Sequence, residues 1–225
     1  MRNRADVKSG SKSEETRLKI LAAALELFHE KGFDATTMRD IAIRAEVATG
    51  AAYYYFDSKD ALVLAFYRQA TREMAPKIEE ALAAGTDLRK RLAGLIEVKL
   101  KYFKSSRRLL SALAAHVDPE QPLSPFSETS REIREQDVAF FDRAISGSRA
   151  RVADDLKAAL PRLLWMYQMG IILFWIHDRS AGQQKTAALL EKSLGIIVRL
   201  IQLSSLPLMS PLRRQALELY ALVSE

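Results

Sequence analysis

Apolar residues recur along this chain every three or four positions, the spacing that gathers side chains on one face of an α-helix. A first helix is predicted from Ser11 to Gly32, because Ser11 and Glu14 have the form of a capping box and glycine commonly ends a helix. The apolar face of this helix consists of Leu18, Leu21, Ala24, Leu25 and Phe28.

The segments after residue 86 show the same helical spacing and no strand-like alternation. Another helical pattern runs from Ser58 to about Ala84, and Pro76 is expected to break it because proline removes a backbone hydrogen bond. The stretch 117–125 contains three prolines and is predicted to be an irregular connection. Further helices are predicted at about 87–104, 106–116, 126–147, 150–178, 184–204 and 211–223. The fold class is therefore all-α.

Residues 36–62 predict two short helices joined by a tight turn, followed by a third helix. Thr37 and Asp40 have the form of a capping box, and the apolar face of the first helix consists of Met38, Ile41, Ala42 and Ala45. Residues 46–48 are too few for anything but a turn, and Thr49–Phe56 supplies the second helix. This is the plan of a helix-turn-helix, whose second helix enters the major groove of DNA.

A helical wheel assigns roles to the side chains of the second helix. Ala52 and Phe56 lie four residues apart on one face and are expected to be buried. The residues expected to meet DNA are Thr49, Gly50 and Tyr54 toward base edges, and Tyr53 and Tyr55 toward phosphates. The small residues Gly50, Ala51 and Ala52 allow close approach of the backbone. Lys59 places a cation beside free N–H groups in the first turn of the third helix, which suits a phosphate.

This stretch resembles the DNA-binding domain of the TetR family of transcriptional regulators. The positions that match the family motif, over about fifty residues, are Thr37, Ile41, Ala42, Ala45, Val47, Gly50, Tyr53, Tyr55, Phe56, Lys59 and Leu62. Glu46 stands in place of the usual turn glycine, and Ala48 in place of the usual capping serine. A non-glycine residue with positive φ and a lost N-cap each cost about 1 kcal/mol, so the turn is expected to be strained or reshaped, with Thr49 as a substitute cap.

The resemblance extends the set of candidate DNA-binding residues. The position of Arg39 touches a base in some relatives, and a solvated arginine is the alternative. The full set is Thr37, Arg39, Thr49, Gly50, Ala51, Tyr53, Tyr54, Tyr55 and Lys59.

The net charge of +6 favours nucleic acid only weakly, because residues 1–60 hold ten Lys/Arg and ten Asp/Glu. The positive charge is local at the N-terminus, where Arg2, Arg4, Lys8 and Lys12 form a basic arm. This arm is predicted to be flexible and to contact the DNA backbone or minor groove, with a solvated tail as the alternative.

A second cluster of charge lies at residues 89–108, which carry eight Lys/Arg and one acid, Glu97. A solvated helix face is favoured there over a second nucleic-acid surface or an entrance for an acidic ligand.

The chain has no cysteine, which excludes disulfides and thiolate metal sites and suits a reducing cytoplasm, the expected location. Its N-terminus is polar, so no signal peptide is expected. The longest apolar run, residues 163–176, is 14 residues long and contains Gln168, so no membrane span is predicted.

Two apolar segments near the C-terminus, 160–178 and 186–203, indicate a dimer interface. The first is apolar nearly all round between residues 163 and 176, and such a helix must be covered on every side. In the resemblance, two such helices pair with their copies in a four-helix interface; burial within a monomer is the alternative. The predicted interface residues are Leu189, Leu190, Leu194, Ile197, Leu200 and Ile201.

The resemblance also implies a cavity that binds a small effector among the helices of the second domain. The effector is expected to be apolar or aromatic, and plain core packing is the alternative for any single residue. The candidate ligand-binding residues are Tyr102, Phe103, His116, Phe140, Phe141, Trp165, Met166 and Met169, with Gln168 and His177 as further polar candidates.

An enzyme is not expected. The three histidines are scattered, there is no glycine-rich phosphate loop, and no His/Asp/Glu cluster has metal-ligand spacing, so neither a cofactor nor a metal is predicted.

The sequence thus predicts a basic arm at 1–12, a three-helix DNA-binding domain at 13–62 and a larger helical effector-binding and dimerisation domain at 63–225. The expected function is a repressor that binds a palindromic operator as a homodimer and is released by a small molecule. The alternative is a helical ligand- or protein-binding module that no longer reads DNA.

Overall fold

The computed structural model describes the backbone of residues 4–224 and the side chains of residues 12–222. Within this range the chain forms ten α-helices and, among the described residues, no strand. The helices are α1 (Arg4–Glu30), α2 (Met38–Arg44), α3 (Thr49–Tyr55), α4 (Lys59–Ala83), α5 (Leu88–Tyr102), α6 (Arg107–Leu113), α7 (Arg131–Ser146), α8 (Leu160–His177), α9 (Gln184–Ser204) and α10 (Ser210–Ser224). Short 3₁₀ turns lie at Asp154–Leu156, Ala181–Gln183 and Pro207–Met209. The all-α prediction is confirmed.

The chain divides into two compact units, and the division differs from the predicted boundary at residues 62 and 63. The first unit comprises residues 1–70 and 105–131, and the second comprises residues 71–104 and 132–225. Residues 105–131 join the first unit because they pack on its own helices. The ring of His116 meets the ring of Phe33 edge-on at 6.5 Å, and Arg108 donates to the carbonyl of His29 at 3.4 Å.

Helix α1 is longer than predicted, because it begins at Arg4 rather than at Ser11. It ends as expected: Gly32 has a φ of +93°, a conformation that glycine adopts freely. The buried face is shifted from the prediction, because Leu18 is exposed and Leu25 half-buried. The fully buried apolar residues of this face are Ile20, Leu21, Ala24, Leu27 and Phe28.

Three other predictions about where helices begin, end or break are wrong. Helix α4 continues through Pro76 without a break, so the proline is accommodated inside the helix. Helix α8 begins at Leu160 rather than near residue 150, with Pro161 in its first turn, where a missing N–H costs nothing. Residues 126–130, predicted as helix, instead form hydrogen-bonded turns in which the hydroxyls of Ser127 and Ser130 donate to the Ser124 carbonyl.

In the second unit, the side chain of Arg91 joins the C-terminal ends of two helices; this contact is called the Arg91 joint below. The buried guanidinium of Arg91 donates to four carbonyls: Leu82 and Gly85 at the end of α4, and Arg143 and Ala144 in the last turn of α7. One cation therefore satisfies the C-terminal carbonyls of two helices, which carry partial negative charge. This contact explains part of the basic run 89–108, since Arg91 lies inside the fold rather than on a charged surface.

Among residues 4–224, no single helix is long and apolar enough to cross a bilayer. The segments Ala181–Ser204 and Pro207–Leu222 meet at a bend of 100°. They have the length and apolar composition of a membrane span only when the two are taken together.

Candidate nucleic-acid interface and effector region

Helix α3 exposes the side that the helical wheel assigned to DNA. Ala52 and Phe56 are buried, whereas Tyr54 is 82% exposed and Tyr53 is 52% exposed. Tyr54 therefore projects from the side opposite the packed face of the helix, and Tyr53 projects from the flank. Tyr55 is half-buried, and its ring meets the ring of Tyr54 edge-on at a centroid distance of 5.2 Å.

The start of α3 is open to close approach. Thr49 and Gly50 are exposed, and a Cβ added at Gly50 would meet no atom within 4 Å. Ala51 is half-buried beside them. A surface without side-chain bulk at this point lets the backbone come near a flat groove wall or base edge.

The turn between α2 and α3 carries the two expected irregularities. Glu46 has a φ of +54°, the left-handed conformation that the usual glycine would adopt without strain. Its carboxylate accepts from the Lys19 ammonium at 2.8 Å, and this hydrogen bond holds the pKa of Glu46 below its usual value. Ala48 is the N-cap of α3 and offers no side-chain acceptor. The expectation that Thr49 replaces the missing cap is wrong, because Thr49 is already the first helical residue.

Helix α2 begins with the predicted capping box. The Thr37 hydroxyl accepts from the backbone N–H of Asp40 at 3.2 Å, and the Asp40 carboxylate accepts from the backbone N–H of Thr37 at 2.9 Å. The Lys31 ammonium donates to the same carboxylate, and this bond, with those from Thr37, holds the pKa of Asp40 well below its usual value. Arg39 is exposed beside this cap. The structure thus gives Thr37 a capping role, while its contact with DNA stays a prediction.

Lys59 has contacts within the first unit that the sequence did not indicate. Its ammonium donates to the carbonyl of Phe33 at 2.7 Å and to that of Asp34 at 3.4 Å, and it lies 4.5 Å from the centroid of the Phe33 ring. The cation therefore ties the start of α4 to the connection between α1 and α2. No local pattern joins positions 26 residues apart, so only the folded chain reveals this contact.

The backbone of residues 4–12 belongs to α1, so the part of the basic arm that the structure describes is helical rather than flexible. The structure does not describe Arg2 or the side chains of Arg4 and Lys8, while Lys12 is exposed on α1.

The structure separates the predicted effector-binding residues by unit and by burial. His116 belongs to the first unit, and its Nδ1 lies 3.2 Å from the Leu113 carbonyl oxygen. In the second unit Phe140, Phe141 and Trp165 are buried, whereas Met166 is exposed and Met169 half-buried.

Two further candidates, Tyr102 and Phe103, are adjacent and half-buried, with their rings edge-on at 5.2 Å. The Tyr102 hydroxyl donates to Glu73 at 2.5 Å, and burial together with this carboxylate raises the pKa of Tyr102 above its usual value.

Lys99, Asp137 and Gln168 form a polar triad beside the rings of Phe140 and Phe141. The Lys99 ammonium donates to Asp137 and, at 2.7 Å, to the side-chain oxygen of Gln168, whose amide donates back to Asp137 at 2.9 Å. Lys99 also lies 5.9 Å from the ring centroid of Phe140 and 5.2 Å from that of Phe141. Burial lowers the pKa of Lys99, and the Asp137 carboxylate opposes that shift. The sequence indicated Gln168 as a polar candidate but gave no signal for its two partners.

Helices α8 and α9 divide their apolar residues between core and surface. Of the predicted interface residues, Leu190, Leu194 and Ile201 are buried within the subunit, Ile197 is half-buried, and Leu189 and Leu200 are exposed. The sequence analysis did not separate these two sides of α9. Large exposed residues that it did not assign to the interface are Leu173, Phe174, Ile196 and Leu203. His177 is exposed at the end of α8 and, with Phe174 and Lys185, lines an open groove of about 530 Å³.

Two family models match the chain. The model described as bacterial regulatory proteins, tetR family, matches residues 20–66, and the model described as tetracyclin repressor-like, C-terminal domain, matches residues 91–215. Among curated proteins, the chain is similar to the HTH-type transcriptional repressor KstR2 of Rhodococcus jostii (strain RHA1), with 29% identity over 158 residues that cover 69% of this chain and 76% of the relative.

Solved structures with the same fold include two regulators that were crystallised with ligands. The transcriptional regulator FadR from Bacillus subtilis, in complex with stearoyl-CoA, has a TM-score of 0.62 and 19% identity and covers 80% of this chain and 97% of its own. The repressor FadR from Thermus thermophilus, in complex with lauroyl-CoA, has a TM-score of 0.56 and 23% identity and covers 77% of this chain and 92% of its own. At these identities the likeness concerns the fold.

Proposed function

The chain belongs to the tetR family of bacterial regulatory proteins, and we propose that it is a repressor that binds a palindromic operator as a homodimer and leaves it when a small apolar molecule binds. The observation that carries this proposal is the exposed side of α3. A helix packed through Ala52 and Phe56, with Tyr54 projecting outward and open space at Gly50, has the form that major-groove reading requires.

The individual contacts follow from the chemistry of each side chain. Tyr54, the most exposed residue of α3, is assigned to base edges, and Tyr53 to a phosphate beside the groove. Arg39 is exposed on α2 and is assigned to a base or phosphate at the edge of the same site. Lys59 contributes its positive charge near the phosphates while its ammonium also holds the Phe33 carbonyl.

A second copy of the chain is the proposed cover for the exposed apolar side of α8 and α9. Leu173 and Phe174 on α8, and Leu189, Ile196 and Leu200 on α9, are large apolar residues open to solvent within one subunit. Single exposed leucines are ordinary, but a set on two packed helices is typical of an interface. A two-fold dimer would present two α3 helices to two half-sites about one DNA turn apart.

The proposed effector binds in the second unit near the polar triad of Lys99, Asp137 and Gln168. The buried rings of Phe140 and Phe141 beside Lys99 would give a ligand apolar contacts, and the triad would exchange one of its internal hydrogen bonds for a bond to the polar group of the ligand. Acyl-CoA thioesters are the first compounds to try, because two structures of this fold are named as complexes with them.

The proposed mechanism is a shift between two arrangements of the dimer. The effector can lower operator affinity only to the extent that it binds the arrangement that does not bind DNA more tightly than the arrangement that does. Helix α4 is the covalent link in this exchange, because it begins in the first unit and ends at the Arg91 joint in the second.

The test is fluorescence anisotropy with the DNA from directly upstream of the gene, against a scrambled duplex, over a range of salt concentrations. Specific binding that weakens steeply with salt is expected. Tyr54→Ala should cost about 1–3 kcal/mol and alter sequence preference, while Tyr54→Phe separates the hydroxyl from the ring. A wild-type protein that binds both duplexes alike at every salt concentration would contradict operator recognition at this sequence.

Lauroyl-CoA is the probe for release. Addition of lauroyl-CoA should lower operator affinity in proportion to its occupancy, and dodecanoic acid, the same acyl chain without the CoA group, is the matched comparison. Full operator affinity at saturating lauroyl-CoA would reject this effector class and leave the DNA-binding assignment intact.

A further inference from the structure

Helix α10, with the turn before it, carries apolar side chains on two opposite sides. One stripe, Met209, Leu217 and Tyr220 together with Arg213, is half-buried within the second unit. The other stripe is open to solvent: Leu208 is 89% exposed, Leu212 58%, Leu219 65% and Leu222 78%. These leucines are separated by three, four or seven residues, the spacing of a helix-packing seam. A helix that is apolar on both sides needs cover on both sides.

The half-buried stripe, through Arg213, fixes the direction in which the exposed leucines point. The Nε of Arg213 donates to both carboxylate oxygens of Asp155, at 2.8 and 3.0 Å, and its Nη1 donates to the Ser204 carbonyl. The Arg213 side chain is only 15% exposed, whereas that of Asp155 is 44% exposed, so these charge-assisted bonds hold Arg213 against the subunit at an edge that water reaches. Because Leu212 and Leu219 lie about 100° and about 120° from Arg213 on the helical wheel, this anchor turns them away from the side of α10 that packs on its own subunit.

The leucine stripe of α10 continues from the apolar side of α9. Leu200 and Leu203 are exposed in the last turns of α9, Leu206 is exposed in the connection, and Leu208 follows in the next turn. The two helices meet at a bend of 100°, so α10 leads the exposed apolar surface in a new direction.

We propose that α10 is an arm of the dimer: its leucine stripe packs against the second copy of this chain, as an extension of the α8–α9 interface. The proposal rests on the proposed homodimer. The C-terminal family model ends at residue 215, so Leu219 and Leu222 lie beyond the part of the domain that the model matches.

A bilayer surface is less well matched to the same stripe. Helices that lie on membranes are rich in Lys and Arg on their polar side. Among residues 210–222 the cations are Arg213, which is engaged with Asp155, and Arg214, and the acid Glu218 lies one turn further along. Gln215 also interrupts the stripe, as a polar residue in a protein seam commonly does.

The experiment is sedimentation equilibrium of the full chain over a wide range of protein concentration. Leu212→Glu combined with Leu219→Glu places two charges in the proposed contact, and because both leucines are exposed in the subunit its helicity and melting should be retained. The dimer dissociation constant is expected to rise at least tenfold. Arg214→Glu, which adds one acidic charge on the flank of α10, is the matched control and should change the constant by less than about twofold.

Three results decide the proposal. An equal dissociation constant for the double variant and the wild type would overturn it, as would a wild type that is monomeric throughout. Co-sedimentation of the wild type with phosphatidylglycerol vesicles, lost in the double variant while dimerisation is unchanged, would assign the stripe to a membrane instead. Operator affinity, measured above both dissociation constants, should be equal in the two proteins, so a failure of DNA recognition would appear in the wild type and be distinguished from failure of the arm.

Discussion

The missing cap of α3 makes Ala48→Ser the sharpest test of how the recognition helix is held. Ala48 has extended backbone angles, φ −63° and ψ 144°, which are those of an N-cap residue, but its side chain accepts nothing. The N–H of Ala51, at the third helical position, reaches only the Ala48 carbonyl, at 2.9 Å. A serine hydroxyl at position 48 would accept from this N–H without a change in the backbone, because Ala48 is exposed.

The expected gain is about 1 kcal/mol, the usual difference between serine and alanine at an N-cap. A helix of seven residues has few other sources of stability, so the cap should act directly on its local opening. A change of 1 kcal/mol corresponds to an equilibrium constant for helix opening that is roughly fivefold smaller.

Hydrogen exchange by mass spectrometry on peptides that cover residues 49–56 measures this opening. Peptides from α8 in the second unit are the internal reference and should exchange as in the wild type. The isosteric pair Ala48→Thr and Ala48→Val separates the hydroxyl from side-chain bulk, and only the threonine should slow exchange. Equal exchange in Ala48→Ser and wild type, or equal effects of threonine and valine, would refute the capping argument.

Three further predictions concern other positions. Gly50→Ala should raise thermal stability, because its Cβ enters open space and alanine favours helix by up to about 1 kcal/mol, yet it should weaken operator binding in anisotropy; unaltered binding would show that DNA does not approach there. Gly147→Ala should destabilise the second unit by about 1–3 kcal/mol, because the added Cβ would overlap the Arg91 guanidinium, which four carbonyls hold in place. Urea unfolding followed by tryptophan fluorescence measures this loss, and an unchanged unfolding midpoint would contradict a rigid Arg91 joint. Hydrogen bonds from Lys31 and Thr37 depress the pKa of Asp40, so the stability that its carboxylate contributes is complete above the ordinary aspartate pKa of 3.8 and is lost as the pH falls further. Acid titration followed by circular dichroism should therefore show a smaller loss of stability below that pH in Asp40→Asn than in wild type. An equal loss in the two proteins would exclude Asp40 as a source of the pH dependence.

The helix-turn-helix was predictable from sequence because each of its signals is local. The Thr37–Asp40 box and the buried pair Ala52 and Phe56 depend on neighbours within four residues, and the structure confirms both. The connection between α2 and α3 is one residue longer than predicted and spans residues 45–48. The strain at Glu46 was predicted from the family resemblance, because glycine usually occupies this position, and the structure gives Glu46 a positive φ. Helix boundaries were less certain wherever proline was involved, because proline is tolerated in a first turn and, in α4, within a long packed helix.

The polar groups of the second unit show where a sequence pattern ceases to be informative. Arg91 and Lys99 lie in a run of basic residues that resembles a solvated helix face, yet both are buried and fully engaged. Their partners are 38 to 69 residues away, apart from the carbonyls at the end of α4, and no periodicity relates such distant positions. Burial of an unpaired ammonium would cost several kcal/mol, so Lys99 can lie inside only because Asp137 and Gln168 arrive from α7 and α8. Arg91 and Lys99 of α5 therefore join neighbouring helices, and the charge that remains on the surface is smaller than the sequence count implies.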